Sequence, residues 1–155
     1  MNSKFILAID QGTTSSRAVV FDKKINKLSS VQKEFKQYYP QPSWVEHDAT
    51  EIFECTLDVM KKAIRDAKIN SEQIAALGIT NQRETVVLWE KATGNPVYRA
   101  IVWQCRRTAN IADKLINDGY SDFIRDKTGL IPDAYFSGTK IKWILDTVPG
   151  LRKRA

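Results

Sequence analysis

Residues 5–21, FILAIDQGTTSSRAVVF, constrain the fold of this chain more than any other stretch. Two apolar runs, each suited to a buried strand, flank a short polar loop, which makes the two strands an antiparallel pair. The loop opens with the carboxylate of Asp10. It then offers Gly12, the consecutive hydroxyls of Thr13, Thr14, Ser15 and Ser16, and the guanidinium of Arg17. A turn needs a glycine, with or without an Asn or Asp, but not this concentration of anion-binding groups. A phosphate loop does need them, because amides freed by a glycine turn form an anion nest, hydroxyls add donors and an arginine adds charge. Asp10, at the end of its strand, suits the Mg²⁺ that travels with a nucleoside triphosphate. A β-hairpin with a polar turn is the plain alternative, and the full DQGTTSSR string favours phosphate. The loop is neither a P-loop nor the glycine pattern of dinucleotide folds.

The chain beyond it reads as α/β. A turn at residues 25–27 leads to a third, largely polar strand over 28–38, expected at a sheet edge. Asp48 and Glu51 have capping-box spacing, and Phe53, Leu57, Met60, Ile64 and Ala67 follow on one helical face expected to be core. His47, the only histidine, reads as a loop residue before that cap. A strand over 74–79 and a strand pair over 85–89 and 97–103 come next. Helices are then expected over 108–117, 121–127 and 138–146, stopped by Gly119, by residues 129–133 and by Pro149 with Gly150.

Bulk properties exclude several classes. A length of 155 residues with 43% hydrophobic and 27% charged residues suits a globular domain with a real core. No apolar run approaches the ~20 residues that span a bilayer, so no membrane insertion is expected. Cys55 and Cys105 lack metal-ligand spacing and read as reduced thiols; with no signal-peptide pattern at the N-terminus, a cytoplasmic location is expected. The net charge of +6 is dispersed in lysine pairs or crowded at Arg152, Lys153 and Arg154, which argues against nucleic acid as a partner.

Three further segments at strand ends could carry chemistry. NQRE at 81–84 places an arginine fork beside an acceptor, which suits a polyhydroxy ligand, although an exposed bend is the plainer reading. WQCRR at 103–107 offers Trp103 as a core or hairpin aromatic. In DAYFSGTK at 133–140, Tyr135 could be a packing residue.

DQGTTS, NQRE, WQCRR and YFSGTK, in this order and spacing, resemble the N-terminal part of the glycerol-kinase branch of the FGGY carbohydrate kinase family. The resemblance runs along essentially the whole chain to its basic end. It implies a ribonuclease H-like, actin-like ATPase domain whose mixed sheet starts with an antiparallel three-strand meander, with helices packed on it. It also implies the cofactors ATP and Mg²⁺, with Thr13, Thr14 and Ser15 on the nucleotide phosphates, Arg17 beside them and Asp10 organising Mg²⁺ through water. Arg83, Glu84 and Tyr135 would bind the hydroxyls of glycerol, and Trp103 would cover its hydrocarbon backbone. The implied reaction gives sn-glycerol 3-phosphate and ADP.

The same resemblance makes residues 1–150 an incomplete first lobe and 151–155 a disordered basic tail. The general base would lie beyond Ala155, since no motif supports Asp133 in that role. The expectation is therefore a truncated or split chain with a missing C-terminal half, inactive alone, and with homo-oligomerisation open. A non-catalytic remnant, or a kinase for another polyol or sugar, is the alternative.

Overall fold

A computed structural model describes residues 5–153. The two opening runs form β1, Phe5–Gln11, and β2, Ser15–Phe21, which pair antiparallel with Asp10 opposite Arg17 and Gln11 opposite Ser16. β3, Lys27–Glu34, pairs antiparallel with β2 and ends four residues short of the expected limit. β5, Ile74–Thr80, lies parallel to β1, which gives a mixed sheet of order β3-β2-β1-β5 with the polar β3 at one edge.

The helix α1, Ala49–Asp66, separates β3 from β5 in sequence. Its buried line is Cys55, Val59 and Ala63, whereas Phe53, expected in the core stripe, is 64% exposed. Met60, Ile64 and Ala67 pack only at the margin of the core that Leu7, Ala18, Val20, Val59 and Ala63 form. Close approach explains the rotation. The Ser29 hydroxyl donates to the Ala63 carbonyl at 2.7 Å, so the helix backbone sits almost on the sheet. Only small side chains fit between them, and a hydrophobicity pattern weighted by size points elsewhere.

Contacts divide the chain into two compact units, where the sequence suggested one domain over 1–150. The first runs to Lys36 and resumes over Thr50–Gln82; the second holds Gln37–Ala49 and continues from Arg83. In the second unit β4, Glu46–His47, pairs antiparallel with β6, Ala100–Ile101. The strand pair expected over 85–89 and 97–103 contracts to β6 and two isolated bridges, Val86 with Ile101 and Trp89 with Pro96. His47 is fully buried in β4 with its Nε2 2.6 Å from Gln37 Oε1, so it is a sheet residue and not a loop one.

The three helices fall where expected, as α2, Ala109–Asn117, α3, Ser121–Thr128, and α4, Ser137–Thr147. Gly129 closes α3 at φ 73°, a left-handed conformation that a glycine adopts without a Cβ penalty. The tail expected to be disordered begins instead with a 3-10 turn, Leu151–Lys153. Leu151 is fully buried with Val86, Ile101, Cys105 and Ile144, so apolar burial outweighs the basic residues after it. Arg154 and Ala155 lie outside the described residues.

Candidate functional site

The phosphate-loop candidate occupies the β1–β2 turn of the first unit. Strand pairing draws most of DQGTTSSR into the ladder, leaving Gly12, Thr13 and Thr14 as the turn itself. The Gly12 N–H donates to the Ser15 carbonyl at 3.0 Å, so this amide closes the hairpin and is not part of an open nest. A Cβ at Gly12 would stand 3.2 Å from that same oxygen, a tight contact that would press on the hairpin closure.

The hydroxyls divide by role. Ser16 is fully buried and its hydroxyl donates to Gln11 Oε1 at 2.7 Å; Thr56 of α1 lies 2.7 Å from the same oxygen. The Gln11 amide in turn donates to the Gly12 carbonyl at 3.2 Å. Ser16 and Thr56 therefore brace the turn from beneath. Ser15 Oγ accepts from Gln32 at 2.9 Å, which leaves its own proton to donate onward. Thr14 is exposed and Thr13 partly so.

Asp10 and Arg17, opposite each other in the ladder, form an ion pair of 2.6 Å whose side chains are 42% and 48% exposed. Water screens such a pair, so its worth is about 0–1 kcal/mol and either partner can leave it cheaply. Among the described residues no group of three or more His, Cys, Asp or Glu could hold a metal. A lone exposed carboxylate fits Mg²⁺ that arrives bound to phosphates, because such an ion keeps its waters and needs one or two protein oxygens.

The second unit brings Glu84, Trp103 and Tyr135 into a connected arrangement. The rings of Trp103 and Tyr135 meet edge to face at a centroid distance of 5.7 Å. Glu84 Oε2 accepts from both the N–H (2.9 Å) and the hydroxyl (2.8 Å) of Ser137, the first residue of α4. The positive end of that helix favours the carboxylate. Glu84 also stands at φ 65°, a left-handed conformation unusual for a side chain with a Cβ. Arg83, its neighbour, is exposed.

Two charged residues in these motifs went unassigned in the sequence. Lys140, wholly buried, donates through Nζ to the carbonyl oxygens of Glu84, at 2.9 Å, and of Tyr135. Burial pushes its ammonium down to about 8, opposed by the negative potentials of Glu84, Cys105 and Asp133. Arg107 is buried against Glu46, 2.8 Å away, with its guanidinium 3.9 Å from the Trp44 ring centroid and 4.9 Å from that of Trp143. It holds this core together and faces no solvent. A lysine within a motif string and an arginine within WQCRR look alike in sequence; only burial separates structural from solvent-facing cations.

Asp133 accepts from the Tyr135 N–H at 2.6 Å and from Arg106 at 2.7 Å. Partial burial works the other way, yet these two donors hold its carboxyl below the usual carboxylate range. A weakened base of this kind is a poor acceptor for a hydroxyl proton.

The sequence pattern of the FGGY family of carbohydrate kinases, N-terminal domain, matches residues 5–155. The chain is 65% identical over 152 residues to glycerol kinase 2 of Thermotoga maritima, covering 98% of this chain and 31% of that protein. Against the glycerol kinase of Ligilactobacillus salivarius it is 59% identical over 155 residues, again 31% of the relative. Among solved structures, Plasmodium falciparum glycerol kinase with ADP superposes on 99% of this chain and 31% of its own, at 33% identity and a TM-score of 0.88. Gluconate kinase from Lactobacillus acidophilus, at 22% identity and a TM-score of 0.88, shares the fold. The chain thus spans about a third of the length of the relatives it matches.

Proposed function

The chain belongs to the FGGY family of carbohydrate kinases, whose actin-like fold it shares, and on that premise we propose that it serves ATP-dependent phosphorylation of glycerol. A terminal hydroxyl oxygen of glycerol attacks the γ-phosphorus of ATP. The bond from that phosphorus to the bridging oxygen breaks, ADP leaves and sn-glycerol 3-phosphate forms. Positioning and charge stabilisation carry most of such a transfer.

The observation that carries this reading is the preset carboxylate of Glu84, with Oε2 held by Ser137 and Oε1 left to accept from a polyol hydroxyl. Trp103 and Tyr135, in edge-to-face contact, offer an apolar wall for the carbon chain and a phenol for a further hydroxyl. Arg83, exposed beside Glu84, donates where Glu84 accepts. In the first unit, Thr13, Thr14 and Ser15 meet the phosphates from a turn that Gly12 shapes, Arg17 leaves Asp10 to join them, and Asp10 takes the Mg²⁺ side through water. That ion neutralises phosphate charge when bound. The base that removes the hydroxyl proton and the adenosine pocket belong, on this reading, to the two thirds of the relatives' length that this chain does not match.

No helix among the described residues is long and apolar enough to cross a membrane. Calorimetry of the chain with glycerol, with and without Mg·ATP, tests the site. Binding by the parent, with a loss of about a hundredfold in Glu84→Gln, is expected, because a buried hydrogen-bonding group left unpaired is costly. No heat with glycerol, or an affinity indifferent to Glu84→Gln, would overturn the reading.

A further inference from the structure

Glu84 presents a problem that its own side chain does not solve. A non-glycine residue in the left-handed region costs about 1–2 kcal/mol and persists only when its surroundings over-determine it. Its carboxylate is fixed by Ser137 at the start of α4, but that contact alone leaves the backbone free to flip by rotating the side chain. The backbone is fixed from the other side. Lys140, one turn further along α4, reaches the Glu84 carbonyl at 2.9 Å and the Tyr135 carbonyl with the same ammonium. The lysine is wholly buried, so its charge has left water, and the two carbonyls replace part of the lost hydration.

A buried ammonium spent on two main-chain oxygens is an expensive way to fill space, and a methionine would fill it without desolvating a charge. What distinguishes the lysine is which oxygens it joins. They belong to the two residues, Glu84 and Tyr135, whose side chains are assigned to the polyol.

We propose that Lys140 is a positioning residue of the polyol site, holding Glu84 in its left-handed conformation and locking it to Tyr135 so that both present to the ligand as one preformed unit. The proposal rests on the reading of Glu84 and Tyr135 as polyol-binding residues. Preorganisation of this kind raises affinity by removing the cost of ordering the site at the moment of binding.

The test uses the ¹⁵N-labelled chain with Lys140→Met, which keeps the methylene stem, and Lys140→Gln, which keeps one neutral donor. The first readout needs no ligand: hydrogen-exchange protection of the Ser137 amide, which reports whether the Glu84 carboxylate still sits on it. The second is the affinity for glycerol by NMR titration. In Lys140→Met, Ser137 protection is expected to fall at least about tenfold while the amides of α2 keep theirs, and glycerol affinity to fall about tenfold to a hundredfold. Lys140→Gln falls between the two, and decides the matter if Lys140→Met does not fold. A folded variant with Ser137 as protected as in the parent and glycerol affinity within about twofold overturns the proposal. A parent that ignores glycerol overturns the polyol reading instead, and the Ser137 amide then decides on Lys140 alone.

Discussion

The β1–β2 turn and the surroundings of Glu84 hold their charges in opposite ways. In the turn, Asp10 and Arg17 sit at the surface and are joined only to each other, while the support beneath them is neutral: Gln11, Ser16 and Thr56. Around Glu84 the order is reversed. The group beneath Glu84 is itself charged and buried, Lys140 at the Glu84 carbonyl, and elsewhere in the same unit Arg107 is buried against Glu46. On the proposed function the difference follows from what each region would have to do. A site for a highly charged, hydrated ligand gains from charges that can change partner at little cost. A site for a small neutral polyol has no charge to attract its ligand and depends on geometry fixed in advance. Substitutions of these charged groups should therefore cost more stability in the second unit than in the first.

The largest effect is expected at Arg107. Arg107→Leu leaves the Glu46 carboxylate buried with the Tyr98 hydroxyl, 3.0 Å away, but no cation. Breaking such a pair costs about 3–5 kcal/mol, read as a fall in the urea midpoint by tryptophan fluorescence. Replacing both partners, Glu46→Gln with Arg107→Leu, should recover part of the loss. A midpoint unchanged by Arg107→Leu would mean that the charged support contributes nothing and that the contrast between the regions is false.

Lys140 gives a pH test of the same contrast. Its folded-state value of about 8 lies below the 10.5 of a free lysine, so the unfolded chain holds more protons between these limits. Stability contributed through this group therefore rises with pH from about 8 to 10, by at most about 1.4 kcal/mol per unit. Glu84, Cys105, Asp133 and the Tyr135 ring face the ammonium. The urea midpoint should climb over this window in the parent and stay flat in Lys140→Met. A parallel climb in both would assign the effect to another group.

At the turn a smaller stability effect is expected from Thr56→Val, which removes one hydroxyl from Gln11 Oε1 and leaves Ser16 in place. The cost is about 1 kcal/mol, and the affinity for Mg·ATP should fall as the Gly12 carbonyl loses its brace. Unchanged midpoint and nucleotide affinity would remove Thr56 from the support.

What could be read from the sequence divides along similar lines. The strands that flank DQGTTSSR, the three-strand meander and helices α2 to α4 follow from apolar runs and turn residues, because these elements obey local rules. The core face of α1 did not follow, since its rotation is set by how closely Ala63 approaches Ser29, a contact between distant positions. The candidate ligand residues stood out as clusters of polar groups at strand ends. Their supports did not: Lys140 and Arg107 look like surface cations until the fold buries them, and Thr56 lies unremarked within a helix. A left-handed glutamate has no sequence signal at all, since Glu84 owes its φ to tertiary contacts.

Arg17→Gln should have the smallest effect on stability and sharpens the comparison most. The substitution removes a pair at 2.6 Å whose partners are nearly half exposed, so the urea midpoint should move by no more than about 0.5 kcal/mol in equivalent terms. Nucleotide binding should respond differently, because triphosphate offers Arg17 a denser negative charge than Asp10 does, and release of Asp10 frees a carboxylate for Mg²⁺. Titration with Mg·ATP should then show a loss of about tenfold in Arg17→Gln, larger at low ionic strength than at high, as screening requires. Glycerol affinity measured without nucleotide should be unaffected. If the midpoint drops by several kcal/mol while Mg·ATP affinity holds, Arg17 is a structural residue of the ladder, and both regions hold their charges in the same way.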